Sequence, residues 1–331
     1  MKNKISSIVF LLLLTLFFSC TEKQITTIHG DSMGTYYNIV YVGKEDSSLT
    51  KAVDSLLINF SKQFSIFDST STISMINREN NILLDDEIID LFLLSKNVSE
   101  KTDGAFDITV GPLVELWGFG NNRENKITQN EIDSVKQWVG FDKISLSGNK
   151  LIKKYDNMTL NFNAIAKGYA TDLLTNLLEL RGYKNFIVEI GGEVVAKGKK
   201  IKDNWRVGIQ VPTKKRDDAI ESFYTFELEN LAVATSGNYR NYQEINGTRY
   251  SHIINPATGW AEKSNLLSVT VVANHCALAD AYATAFMVMG VEKALLFLEN
   301  HPELAAFFIF TDKNGDFKTI QTDNFPSSIK N

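Results

Sequence analysis

Two short stretches hold the residue types that handle a phosphorylated ligand. Asp280 and Thr284 stand four apart in Ala277–Phe286, and the immediate neighbours of Asp280 are apolar. At helical spacing their oxygens share one face. A carboxylate among apolar neighbours is costly unless something compensates it. A hard cation taking one carboxylate, one hydroxyl and backbone carbonyls would do so, which points to Mg²⁺ rather than zinc. A backbone N–H bonded to Asp280 would serve equally. The second stretch, Asn161–Asp172, carries Lys167 among small residues where a turn feeds a helix. The free N–H groups and positive dipole end of a helix N-terminus suit a phosphate, although an ordinary crossover with a solvated lysine fits the same residues. His252, shortly before Asn255-Pro256, is the one histidine in a motif-like turn. It could take a proton from a hydroxyl or act as a hydrogen-bonding core residue.

These residues need elements to hold them. Met158-Thr159-Leu160 reads as a strand before the Lys167 turn. Tyr169, Ala170, Leu173, Leu174, Leu177, Leu178 and Leu180 recur at helical spacing after it, with Gly182 placed to stop the helix. Phe186-Ile187-Val188 restarts as a strand ended by Gly191-Gly192, which predicts a strand–turn–helix–strand unit. Upstream, Thr26–Val42 reads as a strand pair or one interrupted strand, and Leu49–Phe64 as an amphipathic helix. Glu87–Lys101 is a further helix, and Gln129–Val139 a short one. Gly104–Leu113, with Trp117-Gly118-Phe119-Gly120, packs apolar residues, glycines and one acid into a short span, as a site-lining loop or as plain packing would. Trp205–Val211 alternates as a half-exposed strand. Phe223–Leu228 and Leu231–Ala234 read as antiparallel neighbours. Thr248–Ile254 and Leu266–Ala273 are strands, and Cys276–Met289 and Val291–Asn300 are helices. Leu304–Phe310 and Phe317–Ile320 form a closing hairpin. The fold class is α+β with a largely antiparallel sheet.

The 331 residues suffice for one large core or two smaller ones, and a Lys/Gly-rich stretch at Val195–Asn204 is a candidate lobe boundary. A formal charge of −5 argues against a nucleic-acid partner. Lys2 and Lys4 precede the apolar run Ile8–Phe18 and then Ser19-Cys20. That run is too short to span a bilayer but matches a secretory signal. A small residue before cysteine resembles a bacterial lipobox, with residues 1–19 removed and Cys20 lipidated, although Phe17-Phe18 departs from the usual choices there. An uncleaved anchor helix is the alternative. Cys276, the other cysteine, reads as a small buried hydrophobe. The histidines His29, His252, His275 and His301 lack zinc spacing.

In order along the chain, seven segments resemble the ApbE family of bacterial FAD:protein FMN transferases. They are Met33-Gly34-Thr35, Gly104–Leu113 with Trp117–Gly120, Asn163–Asp172, Gly191-Gly192, Thr235-Ser236-Gly237, His252–Gly259, and Ala279-Asp280 through Thr284. The resemblance covers the chain from about Thr27 to the final hairpin.

The resemblance implies a two-lobed fold with FAD as substrate in a cleft between the lobes and Mg²⁺ at the pyrophosphate. A threonine or serine hydroxyl of an acceptor protein receives FMN and AMP leaves. Such acceptors include subunits of membrane redox complexes, which suits an exported chain lipid-anchored to a bacterial membrane, facing the periplasm or outer face. Matched residue by residue, Met33, Phe67, Ala105, Phe106, Asp107, Asn161, Lys167, His252 and Ile253 fall at FAD-contacting positions. Ala164, Asp280 and Thr284 fall at metal-binding positions, and His252 at that of the general base. Two departures stand out, since many relatives have Asp where Asn161 and Asn255 stand here. An FAD pyrophosphatase using water as nucleophile, and a flavin-binding lipoprotein without chemistry, remain as alternatives.

Overall fold

A computed structural model of the chain describes residues 24–329 apart from 81, 119–126, 211–222, 239–241, 246–247, 252 and 263–264. The elements run β1 (Ile25–Ser32), β2 (Thr35–Val42), α1 (Ser47–Phe64), α2 (Thr72–Arg78), α3 (Asp86–Lys101), α4 (Gly111–Trp117), α5 (Gln129–Lys136), β3 (Ile144–Ser147), β4 (Lys150–Lys153), α6 (Ala166–Leu180), β5 (Phe186–Ile190), β6 (Glu193–Lys197), β7 (Trp205–Gln210), β8 (Phe223–Leu228), β9 (Leu231–Gly237), β10 (Tyr242–Ile245), β11 (Thr248–Ser251), β12 (Leu266–Ala273), α7 (Cys276–Glu299), β13 (Ala305–Thr311) and β14 (Phe317–Gln321).

Eight strands form one antiparallel sheet in the order β1-β2-β5-β6-β9-β12-β13-β14. Helices cover one face, where Val188, Ile190, Val271 and Phe308 join Leu174, Phe286 and Phe60 in the main core. The hairpin β7–β8 covers part of the other face, with Trp205, Ile209, Phe226 and Leu228 against Val194, Val233, Val272 and Phe307. A strand buried on both faces has no polar side to show, which is why β12 and the Glu193–Ala196 stretch of β6 lack a polar/apolar alternation of burial.

Three sequence expectations change. Met158–Leu160 is not a strand, because its backbone is claimed elsewhere: the Leu160 N–H donates to Asn77 Oδ1 at 2.7 Å, the Asn77 side chain returns a bond to the Leu160 carbonyl, and the Asn161 N–H reaches Ile108. A side-chain amide takes the place of a ladder. The expected strand–turn–helix–strand unit therefore lacks its first strand. β8 and β9 are both antiparallel but not to each other, since β9 spends both edges on β6 and β12 while β8 pairs with β7. Gly111–Trp117, expected within a loop, is a short helix with Pro112 in its first turn and Gly118 left-handed at its end.

Other expectations hold. The first two strands form a hairpin turning at Met33-Gly34 (φ 54 and 73), and Arg181-Gly182 end α6. Gly290 (φ 75) breaks the helical stretch Cys276–Glu299 where two helices are expected. The lobe boundary is not among them: Val195–Lys197, its first residues, lie in β6 inside the sheet, where pairing on both edges leaves no place for the chain to part. Residues 1–23, with the signal and Cys20, lie outside the described residues.

Candidate functional site

Two helices define the inner end of a cleft of about 720 Å³. α7 opens without a side-chain cap of its own at His275; Asp172 on α6 supplies one, accepting the N–H groups of Cys276 and Ala277 at 2.8 and 2.9 Å. A carboxylate there meets both the unpaired amides and the dipole. One turn further along α7, Asp280 Oδ2 accepts the Gly168 amide at 3.0 Å, so each helix donates backbone N–H groups to the other's acid. Gly168 makes this approach possible, since a Cβ there would lie 2.5 Å from the Cys276 carbonyl oxygen and 2.8 Å from Asp280 Cβ.

The anion expected at the start of α6 is thus partly the protein's own. The Ala166 N–H bonds the Phe162 carbonyl and that of Gly168 bonds Asp280, so the ligand's share of this helix end falls mainly to the Lys167 side chain. Its Nζ makes an ion pair with Glu193 Oε1, and both residues line the cleft. Glu193 is 2% exposed, and its Oε2 is buried without a partner. Burial pushes the Glu193 carboxyl up against the pull of Lys167. Burial also pulls Lys167 down, but the charges of Glu193 and Asp280 outweigh it and the ammonium is held charged. Asp280 is raised, chiefly by burial, with Lys167 and the Gly168 N–H opposing.

Asp280, Thr284 and Ala164 line the same cleft, and the Thr284 hydroxyl lies 2.9 Å from that of Ser236 on β9. Among the described residues no three His, Cys, Asp or Glu side chains group closely enough to hold an ion alone. Asp280 and Thr284 bring one carboxylate and one hydroxyl to the cleft wall, hard oxygen donors of the kind Mg²⁺ takes.

Of the remaining expected residues, six line the cleft: Phe67, which is 81% exposed, Ala105, Phe106, Asp107, Asn161 and Ile253. Met33 does not: it occupies the left-handed turn between β1 and β2, and its side chain packs on the main core, leaving Thr35 and Tyr36 at the cleft wall. His252 lies outside the described residues, next in sequence to Ile253. Asp107 accepts from the N–H and hydroxyl of Thr109, both at 2.7 Å, and burial lifts its pKa to about 6.

Both departures from the family pattern have structural uses. Asn161 Oδ1 accepts the Asn163 N–H at 2.9 Å, shaping the approach to α6. Asn255 Oδ1 accepts from Ala257 and Thr258, while its Nδ2 donates to Glu262 at 2.8 Å, a bond an aspartate could not give. Sequence reasoning missed Glu193, Tyr36, Glu189 and the β7 residues Gly208, Ile209 and Gln210, all in the cleft wall. Only Glu193 left a signal, as an acid directly before the apolar run Val194–Ala196.

The model of the ApbE family matches residues 33–308. A FAD:protein FMN transferase of Haemophilus influenzae is 34% identical over 334 residues, covering 95% of each chain. The solved structure of the flavin transferase ApbE from Vibrio cholerae superposes with a TM-score of 0.83 at 32% identity, covering 92% of this chain and 99% of that one. The apo flavinyl transferase ApbE of Pseudomonas stutzeri gives 0.84 at 33% identity, covering 93% and 98%.

Proposed function

The chain belongs to the ApbE family, and on that premise we propose how its cleft works. It is a transferase that moves FMN from FAD to a protein. The observation that carries the chemical reading is the convergence of Lys167, Asp280, Thr284 and Ala164 in one cleft. Phosphoryl transfer asks a protein mainly for positioning and for neutralisation of charge on phosphate oxygens. Lys167, held charged by its acidic neighbours, meets the pyrophosphate. Asp280, Thr284 and the Ala164 carbonyl would hold Mg²⁺, which when bound neutralises charge on the pyrophosphate oxygens.

The reaction balances without a further reagent. A threonine or serine hydroxyl oxygen of the acceptor bonds the FMN-side phosphorus, the bond from that phosphorus to the bridging oxygen breaks, and AMP leaves with that oxygen. The hydroxyl proton goes to His252. Support for His252 comes from its motif and from the place of Ile253 in the cleft wall. Lys2, Lys4, the run Ile8–Phe18 and Ser19-Cys20 support export and lipidation at Cys20, which would bring the cleft to acceptors at the membrane surface. Loss of radiolabelled lipid from a Cys20→Ala chain expressed in its host would bear this out, and retained label would refute it.

The deciding experiment incubates the protein with FAD, MgCl2 and a membrane-protein fraction from the source cells. A fluorescent band in a denaturing gel, dependent on Mg²⁺ and lost with EDTA, is expected. Release of FMN and AMP with no labelled protein would replace transfer by hydrolysis, and a Mg²⁺-independent rate would remove the metal.

A further inference from the structure

We propose that the acceptor polypeptide docks in extended form, as a strand added to the free edge of β7. This rests on the transferase reading above. The orientation of that edge follows from hydrogen-bond parity. The Ile329 N–H donates to the Thr225 carbonyl at 2.9 Å beside the Phe226–Ser328 bridge, so Thr225 turns its peptide groups away from β7. In an antiparallel pair a residue directs its N–H and C=O to the same side, and neighbours alternate. Tyr224 and Phe226 therefore face β7, and their partners Ile209 and Val207 face back. Arg206, Gly208 and Gln210 must direct their N–H and C=O groups to the opposite edge. Among the described residues no group pairs with that edge.

That edge is the one in the cleft. Side chains along a strand alternate between faces, and Ile209 is buried among the hairpin's core contacts. Nevertheless three successive residues, Gly208, Ile209 and Gln210, line the cleft, while none of the described residues of β8 does. A cavity touching both faces' residues on one strand alone runs along its edge. Gly208 carries no side chain to shield its amide and is exposed.

An unpaired edge is a template for another chain and is ordinarily covered or charged. Here it opens into the cleft that Lys167, Asp280 and Thr284 also line, where a protein substrate has to present a hydroxyl. The positions matched to FAD contacts lie elsewhere, at Phe67, Ala105–Asp107, Asn161, Lys167 and Ile253, so the β7 wall is unclaimed. Strand addition takes its affinity from main-chain bonds and its selectivity from alternate side chains. A segment held in this way can present a threonine or serine hydroxyl to the cleft while main-chain bonds hold its backbone.

The probe is a synthetic copy of the peptide found by mass spectrometry to carry FMN after labelling of the membrane-protein fraction. With FAD-loaded protein, the peptide should slow hydrogen exchange at the Gly208 and Gln210 amides by about tenfold. N-methylation of alternate peptide nitrogens should cut transfer about tenfold for one parity and leave the other near full rate. Gly208→Pro, which removes an N–H from the free edge only, should slow transfer about tenfold while flavin fluorescence quenching shows that FAD still binds. Unprotected β7 amides, or equal transfer with both N-methylated peptides, would overturn the proposal. So would protection by FAD alone, which would give the edge to the flavin. If the unmodified protein labels no acceptor at all, the transferase reading itself fails and takes the docking site with it.

Discussion

The Gly168 amide donates to Asp280 Oδ2 at 3.0 Å across the contact between α6 and α7, while Asp172 on α6 accepts the first amides of α7. The two helices are locked together at their N-terminal turns by reciprocal carboxylate–amide bonds. The carboxylate read from sequence as a metal ligand is held in place by the helix that carries Lys167.

Gly168→Ala tests the closeness of that contact. A methyl group 2.5 Å from the Cys276 carbonyl oxygen has to push the helices apart. Overpacking of this kind costs roughly 1–3 kcal/mol, read as a lower urea midpoint, and turnover should fall as Asp280 shifts away from Lys167. An unchanged midpoint and rate would mean that the helices separate freely.

Asp280→Asn separates charge from structure. The amide oxygen can still accept the Gly168 N–H, while a buried negative charge is removed. Thermal stability should be equal or higher, FAD binding should persist, and Mg²⁺-dependent turnover should disappear. Full activity in this variant would remove the metal role.

Asp172→Ala leaves two amides of α7 unbonded in a partly buried position. Loss of a helix cap costs roughly 0.5–2 kcal/mol. Asp172→Asn, retaining an acceptor, should lie between the alanine variant and the native chain in denaturant titrations. Equal midpoints for all three would reassign the cap to solvent.

Asp107 predicts a pH dependence. Its folded pKa, about 6, lies above its ordinary value of 3.8 because it is buried, so the folded chain binds more protons between those limits. Stability should therefore fall as pH rises from about 4 to about 6 and then level off, by an amount on the order of 3 kcal/mol at most. Asp107→Asn keeps the acceptor for Thr109 and should flatten that segment of the Tm–pH curve. Parallel curves for the two proteins would refute the shift.

His252→Ala should slow transfer by about 10²–10⁴-fold while FAD binding is retained, if the imidazole takes the hydroxyl proton. An unchanged rate would make it a structural residue.

The sequence by itself determined the longer helices, many of the strands and part of the cleft, while the helix Thr72–Arg78 and the strands β3, β4, β6 and β10 went unread. The spacing of Asp280 and Thr284 is a property of one helix, and Lys167 follows a turn written in small residues, so local periodicity suffices to find them. Family motifs brought in Phe67, Ala105–Asp107, Asn161 and Ile253, which line the cleft together. What only the tertiary structure decided are relations between segments far apart in the chain. Asp172 caps a helix more than a hundred residues away, Glu193 reaches Lys167 from another element, Met33 turns to the core, and the β7 edge opens into the cleft. Residue type shows that a buried acid needs a partner, because desolvation is a local cost. The partner's identity depends on which backbone comes within 3 Å, and that is set by how the helices pack on the sheet.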